Sequence, residues 1–248
     1  MQKIIGIIPA RYGSSRFPGK PLIDIGGKTM IERVYLQAKH ARNLSEVIVA
    51  TDDQRIYDAV KSFAGNVVLT DSAHHSGTDR CAEVLSKVQG FDIAINIQGD
   101  EPFIDPLQID LLCDCFVNEQ TDIATLIRPI QEEETLFDPN KVKVVIDKNG
   151  KALYFSRSPI PFLKDYPKDK WLENNKYFSH IGIYGYRKSS LEQITQIPPS
   201  VLENAEGLEQ LRWLENGFNI QTAESIHTND AIDTPEDLEH ILKKYFNS

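Results

Sequence analysis

The chain has 248 residues, 41% of them hydrophobic and 25% charged, with a formal net charge of −9. That composition excludes a disordered chain, and the acidic balance excludes non-specific nucleic-acid binding, because a negative surface repels polyanions at long range. Three cysteines cannot form a full disulfide set and show no metal-type Cys/His spacing, so a reducing compartment fits best, and no apolar stretch approaches a membrane span.

Ile4, Ile5, Ile7 and Ile8 read as a buried strand, too short and too interrupted by Gly6 for a signal peptide. A glycine-rich loop follows. Next comes a helix with Met30, Ile31, Val34, Ala38 and Ala41 on one stripe. Strands are predicted at residues 47–50, 67–69 and 92–97, with helices at 54–63 and 80–88 between them. Asp105 and Pro106 supply a cap and a first position for a helix at 107–117. This alternation predicts an α/β fold, a Rossmann-like mostly parallel sheet with helices on both faces, whose ligands sit at the carboxyl ends of the strands.

The second half reads differently. Segments 123–129, 142–146, 152–155 and 181–186 are strand-like and lie between proline- and asparagine-rich turns. Residues 159–175 read as a long loop or arm. A helix is predicted at 206–215, stopped by Asn216 and Gly217. Thr234 and Pro235 start a last helix with Leu238, Ile241, Leu242, Tyr245 and Phe246 on one face. With no clear linker, the chain reads as one domain, 1–248, carrying a smaller mixed β subregion at about 130–210.

The strongest chemical signal is PARYGSSRFPGKPL at residues 9–22, directly after the first strand. Gly13 and Gly19 let the backbone turn and approach a ligand. Ser14 and Ser15 add short donors, and Arg11, Arg16 and Lys20 put three cations into one loop of an acidic chain. A triphosphate needs that combination of backbone N–H groups and cations, although a solvated basic turn would look similar. Asp100 follows an apolar strand and a glycine, which sets a carboxylate at the sheet's carboxyl edge; a hard cation such as Mg²⁺ takes one or two carboxylates together with phosphates. A turn aspartate is the alternative.

Asp233, just before Thr-Pro-Glu, is either a second ligand or a helix-starting residue. Gln98 offers an amide to a sugar hydroxyl or a base. Thr51 and Asp52 end the second strand and line a pocket or form a turn. Thr78 and Asp79 read as a helix cap. Arg157 is a fork donor suited to a sugar carboxylate, or a surface arginine. His180 and Tyr184, four apart on a strand, share a face, and both suit sugar hydroxyls. Glu209 is a hydroxyl acceptor or an ordinary helix-face charge. His74 and His75 read as solvated loop, Trp171 and Trp213 as packing residues.

The loop at 9–22 resembles the signature of the sugar-acid cytidylyltransferase family. Further segments carry the likeness: SGTDR at 76–80, IQGDEP at 97–102, YFSRSPIP at 154–161, HIGIY at 180–184, LEQLRWLE at 208–215 and DTPEDLE at 233–239. Together they narrow it to members whose acceptor is the eight-carbon sugar acid Kdo. The resemblance covers about residues 3–245 and implies a nucleotide-diphospho-sugar transferase type of fold.

It further implies CTP and Kdo as substrates, CMP-Kdo and pyrophosphate as products, and Mg²⁺ held by Asp100 and Asp233. It assigns catalysis to Arg11, Arg16, Lys20 and Asp100, and the nucleotide to Ala10, Arg11, Gly13, Ser14, Lys20, Thr51, Asp52, Ser76, Arg80 and Gln98. The sugar acid falls to Gln98, Arg157, His180, Tyr184 and Glu209. A cytoplasmic homodimer serving lipopolysaccharide biosynthesis belongs to the same expectation. A cytidylyltransferase for another acceptor and a non-catalytic nucleotide-binding module are the competing readings; a pyrophosphate assay separates the second.

Overall fold

The structure, a computed structural model, describes residues 2–13, 17–74, 76–227 and 230–246. Its first half runs β1 (Ile4–Ala10), α1 (Met30–Lys39), β2 (Glu46–Thr51), α2 (Gln54–Ser62), β3 (Val67–Leu69), α3 (Gly77–Lys87), β4 (Ile93–Asn96) and α4 (Pro106–Asp114). β1 pairs with both β2 and β4, β2 pairs with β3, and all three ladders are parallel. Ile5, Ile7 and Ile8 are all buried although neighbours on a strand point to opposite faces. Both faces of β1 are therefore covered, as an apolar run without alternation requires.

The second half runs β5 (Ile123–Pro129), α5 (Glu133–Phe137), β6 (Lys143–Ile146), β7 (Ala152–Ser156), α6 (Trp171–Asn174), β8 (Phe178–Arg187), α7 (Lys188–Ile194), α8 (Val201–Glu206), α9 (Glu209–Glu215) and β9 (Ile220–Glu224). Here β5 runs antiparallel to β8 and parallel to β9, and β6 runs antiparallel to β7 and β8. This is the mixed region the sequence predicts. The chain closes with α10 (Pro235–Phe246).

Two compact units result: Met1–Cys113 with His227–Ser248, and Asp114–Ile226. The sequence reading of one domain with a subregion at about 130–210 missed this division, because neither crossing is marked by a linker: the first falls within α4. Three local expectations also change. The helix predicted at 206–215 begins later, as α9 at Glu209; Glu206 instead ends α8, where Gly207 takes a left-handed φ of 63° and its N–H bonds the Glu203 carbonyl. The cap of α3 is Ser76, not Thr78: its hydroxyl accepts from the Asp79 N–H while the Asp79 carboxylate accepts from the Ser76 N–H. The arm at 159–175 is not all loop, since α6 seats Trp171 in a cluster with Ile130, Leu136 and Tyr177. Trp213 is buried as predicted, and all three cysteines are free thiols.

Candidate active site

In the first unit, β1 and β4 lie side by side with Ile7 opposite Asn96. Their carboxyl ends deliver Pro9, Ala10 and Arg11 beside Gln98, Gly99 and Asp100, which together line a cavity of about 560 Å³. Gly99 permits the approach: a Cβ there would sit 2.8 Å from the Pro9 carbonyl oxygen, closer than real Cβ atoms come. The loop after β1 is pinched by the Gly19 N–H bonding the Tyr12 carbonyl at 2.9 Å, with Gly19 at a left-handed φ of 73°. That turn sets Lys20 and Pro21 into a short 3₁₀ helix at the cavity wall. Gly13 also lines the cavity, but its φ is ordinary and a Cβ would meet open space, so only Gly19 fills the turning role expected of both. Ser14, Ser15, Arg16 and His75 lie outside the described residues.

The Lys20 ammonium donates to Asp100 Oδ2 at 2.8 Å and to Asp233 Oδ1 at 3.0 Å. Asp233 arrives from 213 residues along the chain. Its segment is fastened by the Ile232 N–H bonding the Asp100 carbonyl at 2.9 Å. The start of α10 is capped by others: the Asp237 carboxylate accepts from the N–H groups of Asp233 and Thr234, and the Thr234 hydroxyl accepts from the Asp237 N–H. The Asp233 side chain also stands on the cavity wall.

Lys20 is 13% exposed, against 31% and 46% for the two carboxylates. Ion pairs this wet contribute about 0–1 kcal/mol each, and two carboxylates converging on one point repel. The arrangement is therefore better explained by charge handling than by stability. Among the described residues, no group of three or more His, Cys, Asp or Glu side chains converges to hold a metal. Any hard cation here would complete its shell from substrate oxygens.

In the second unit, Thr125, His180 and Tyr184 meet where β5 and β8 slip register. The Thr125 hydroxyl has one proton, and the Ile183 carbonyl at 2.8 Å takes it. His180 Nε2, at 2.9 Å from that oxygen, is then the donor, which fixes the tautomer and leaves Nδ1 an acceptor. Burial pushes the ring pKa down to about 3. The ring stays neutral through the physiological range and serves as a hydrogen-bonding group, in keeping with the absence of a base role in the sequence reading. Tyr184 packs against it at 5.2 Å. Its hydroxyl is buried without a hydrogen-bond partner, and burial, with the Glu209 carboxylate nearby, raises its pKa well above the usual value. Gln210 Nε2 is likewise buried and unsatisfied. Among the described residues these two buried polar atoms leave hydrogen-bonding capacity that a water or a ligand can take up.

Arg157 behaves differently from its expected role. Its Nε donates to the Glu206 carbonyl at 2.6 Å, and its terminal nitrogens reach the carbonyls of Pro139 and Gly207 at 3.1 and 3.4 Å. The Glu206 carboxylate in turn accepts from the Arg157 N–H and the Ser156 hydroxyl. The fork clamps the strand end to the break between α8 and α9, so a carboxylate partner must compete with main-chain carbonyls. Arg157→Ala is expected to cost about 1–2 kcal/mol of stability through the carbonyls left unpaired, read as the denaturation midpoint. An unchanged midpoint would remove the clamp.

The cytidylyltransferase family model matches residues 5–226. The 3-deoxy-manno-octulosonate cytidylyltransferase of Parabacteroides distasonis is 53% identical over 98% of both chains. The enzyme of that name from Cytophaga hutchinsonii is 54% identical over 95% of this chain and 94% of its own. The chain belongs to the 3-deoxy-manno-octulosonate cytidylyltransferase family. A solved structure described as CMP:2-keto-3-deoxy-manno-octonic acid synthetase complexed with CTP superposes on this cytidylyltransferase with a TM-score of 0.91. It is 44% identical, with 98% of each chain covered.

The remaining residues expected to bind nucleotide in this cytidylyltransferase are largely turned inward. Arg80 is 1% exposed. One of its terminal nitrogens donates to Thr70 Oγ1 at 2.7 Å, and the other lies 3.1 Å from Asp52 Oδ2 without hydrogen-bond alignment. Thr51 is buried, its hydroxyl accepting from the Asp53 N–H. Together these fasten the end of β2 to the loop before α3, a supporting role rather than a surface open to a base. His74, predicted to be solvated, is held by Glu83 at 2.5 Å. Gly99, which the strand approach requires, and Gln210, whose buried amide has no partner among the described residues, were not among the expected site residues. Glycine beside a strand-end carboxylate was the available signal for the first; nothing local distinguishes the second.

Proposed function

We propose that this cytidylyltransferase transfers CMP from CTP to the anomeric 2-hydroxyl of Kdo, releasing pyrophosphate, with Mg²⁺ as cofactor. The observation that carries the reading is Lys20 meeting Asp100 and Asp233 at the carboxyl ends of β1 and β4. Two hard oxygen donors already converge on one cation, the ammonium. Mg²⁺ asks for that donor set, with phosphate oxygens making up the rest. When bound, the ion supplies charge stabilisation at the phosphates and lowers the pKa of a coordinated hydroxyl.

The chain's own residues position and neutralise. Arg11, at the cavity wall, and Lys20 face the negative charge that grows as the hydroxyl oxygen bonds the α-phosphorus and the bond to pyrophosphate breaks; Arg16 joins them by family resemblance. Lys20 leaves one or both carboxylates to reach a phosphate, so CTP exchanges an internal ion pair for a substrate contact. Neutral His180, the Tyr184 hydroxyl, Glu209 and Gln210 offer donors and acceptors to sugar hydroxyls, and Gln98 offers its amide at the cavity. Orientation of the reactants adds to this charge stabilisation.

A homodimer working in the cytoplasm for lipopolysaccharide biosynthesis follows from the family. Among the described residues no helix is long and apolar enough to cross a membrane. The deciding assay combines CTP, Mg²⁺ and a panel of sugar acids. Product with Kdo alone supports the reading, and equal use of sialic acid would overturn the acceptor. Because His180 titrates near pH 3, no limb of the kcat profile between pH 5 and 9 should belong to it, and His180→Gln should keep the profile's shape. A limb that vanished in that variant would refute its neutral role. The sign for stability is the usual one for a buried neutral histidine. The unfolded ring binds its proton near pH 6.5, so this contribution is whole above that value and fades as pH falls toward 3.

A further inference from the structure

The segment that presents Asp233 is anchored by buried Ile232, but the helix that follows it is not. α10 buries only Ile241 among its twelve residues, so little core packing fixes the helix. Its far end nonetheless folds back onto both carboxylate-bearing segments. The Tyr245 ring stacks on Phe103 with centroids 4.0 Å apart and planes 6° from parallel. Phe103 lies three residues after Asp100. The Tyr245 hydroxyl donates to Asp230 Oδ2 at 2.8 Å, beside the Lys244 ammonium at 2.6 Å. Asp230 lies three residues before Asp233. Arg33 lies over the Phe103 and Phe246 rings at 5.6 and 4.7 Å, bracing the cluster from α1.

We infer that Tyr245 is a positioning residue that sets the Asp100–Asp233 pair, holding one carboxylate segment by its ring and the other by its hydroxyl. Its two contacts span the same two segments that the Ile232 N–H to Asp100 carbonyl bond joins along the backbone. Offset or parallel ring stacking contributes beyond area burial, and a hydroxyl to a carboxylate is a charge-assisted bond. Tyr245 is 43% exposed, so it can be replaced without opening a core cavity. The inference rests on the reading of Asp100 and Asp233 as a working pair, and its test separates the two.

Amide hydrogen exchange of Ile232 reports the tether in the chain alone, without metal or substrate. Tyr245→Ala is expected to speed Ile232 exchange at least tenfold while β5 amides in the other unit stay unchanged. In the same variant kcat should fall about tenfold with the KM for Kdo within twofold. Tyr245→Phe keeps the ring stack but loses the bond to Asp230, so its Ile232 exchange and kcat should fall between those of the wild type and Tyr245→Ala. Normal Ile232 exchange in a folded Tyr245→Ala protein overturns the inference, as does a normal kcat. Wild-type turnover that ignores Mg²⁺ would overturn the metal reading, and the exchange result would still decide the tether.

Discussion

Asp100→Ala is expected to lower kcat for CMP-Kdo formation about 1,000-fold and leave the fold intact. Removing one preorganised electrostatic group from a transition state costs on the order of 100- to 1,000-fold, and the proposed metal role of Asp100 puts the expectation at the upper end. Stability should change by no more than about 1 kcal/mol. The carboxylate is 31% exposed and its pair with Lys20 is half wet, while the Asp100 carbonyl that receives the Ile232 N–H is untouched by the substitution. Pyrophosphate release against CTP, Mg²⁺ and Kdo, alongside thermal unfolding, measures both. Near-normal turnover in the variant would remove Asp100 from the chemistry and leave it a turn residue.

Lys20→Met should divide two roles that the wild-type ammonium combines. Its length is kept and its charge lost, so Asp100 and Asp233 face one another with no cation between them. The free chain should then bind Mn²⁺ more tightly without CTP, because the competing ammonium is gone. Catalysis should nevertheless fall about 100-fold, because a cation facing the phosphates is missing. Manganese titration followed by paramagnetic resonance gives the first quantity and steady-state kinetics the second. An unchanged rate at saturating CTP would make Lys20 a counter-ion to the aspartates and nothing more.

Much of the site was legible because strand ends carry their chemistry locally. A run of apolar residues followed by glycine and a carboxylate reads as a strand with a functional edge, which is how Asp100 was found, with Gln98 beside it; Arg11 and Lys20 were found as cations of the glycine-rich loop after the first strand. His180 and Tyr184 were legible for a similar reason: alternation on a strand fixes a shared face, and their rings do pack together. Arg157 and Arg80 show the other side. Both were recognised as guanidinium groups near the right segments, and both bond groups of their own unit. An arginine's sequence neighbours do not reveal which carbonyls or hydroxyls fold within its reach.

By itself the sequence determined the parallel first half, the mixed second half, the residue types at the strand ends and the family. Those follow from periodicity, turn chemistry and motif spacing, which act over a few residues along the chain. Only the tertiary structure decided that Lys20 stands between Asp100 and Asp233, that Gly99 admits the Pro9 carbonyl, and that Tyr245 closes the last helix onto both carboxylate segments. Each depends on groups far apart in the chain. Whether they meet is set by how the whole core packs, and no local pattern encodes that distance.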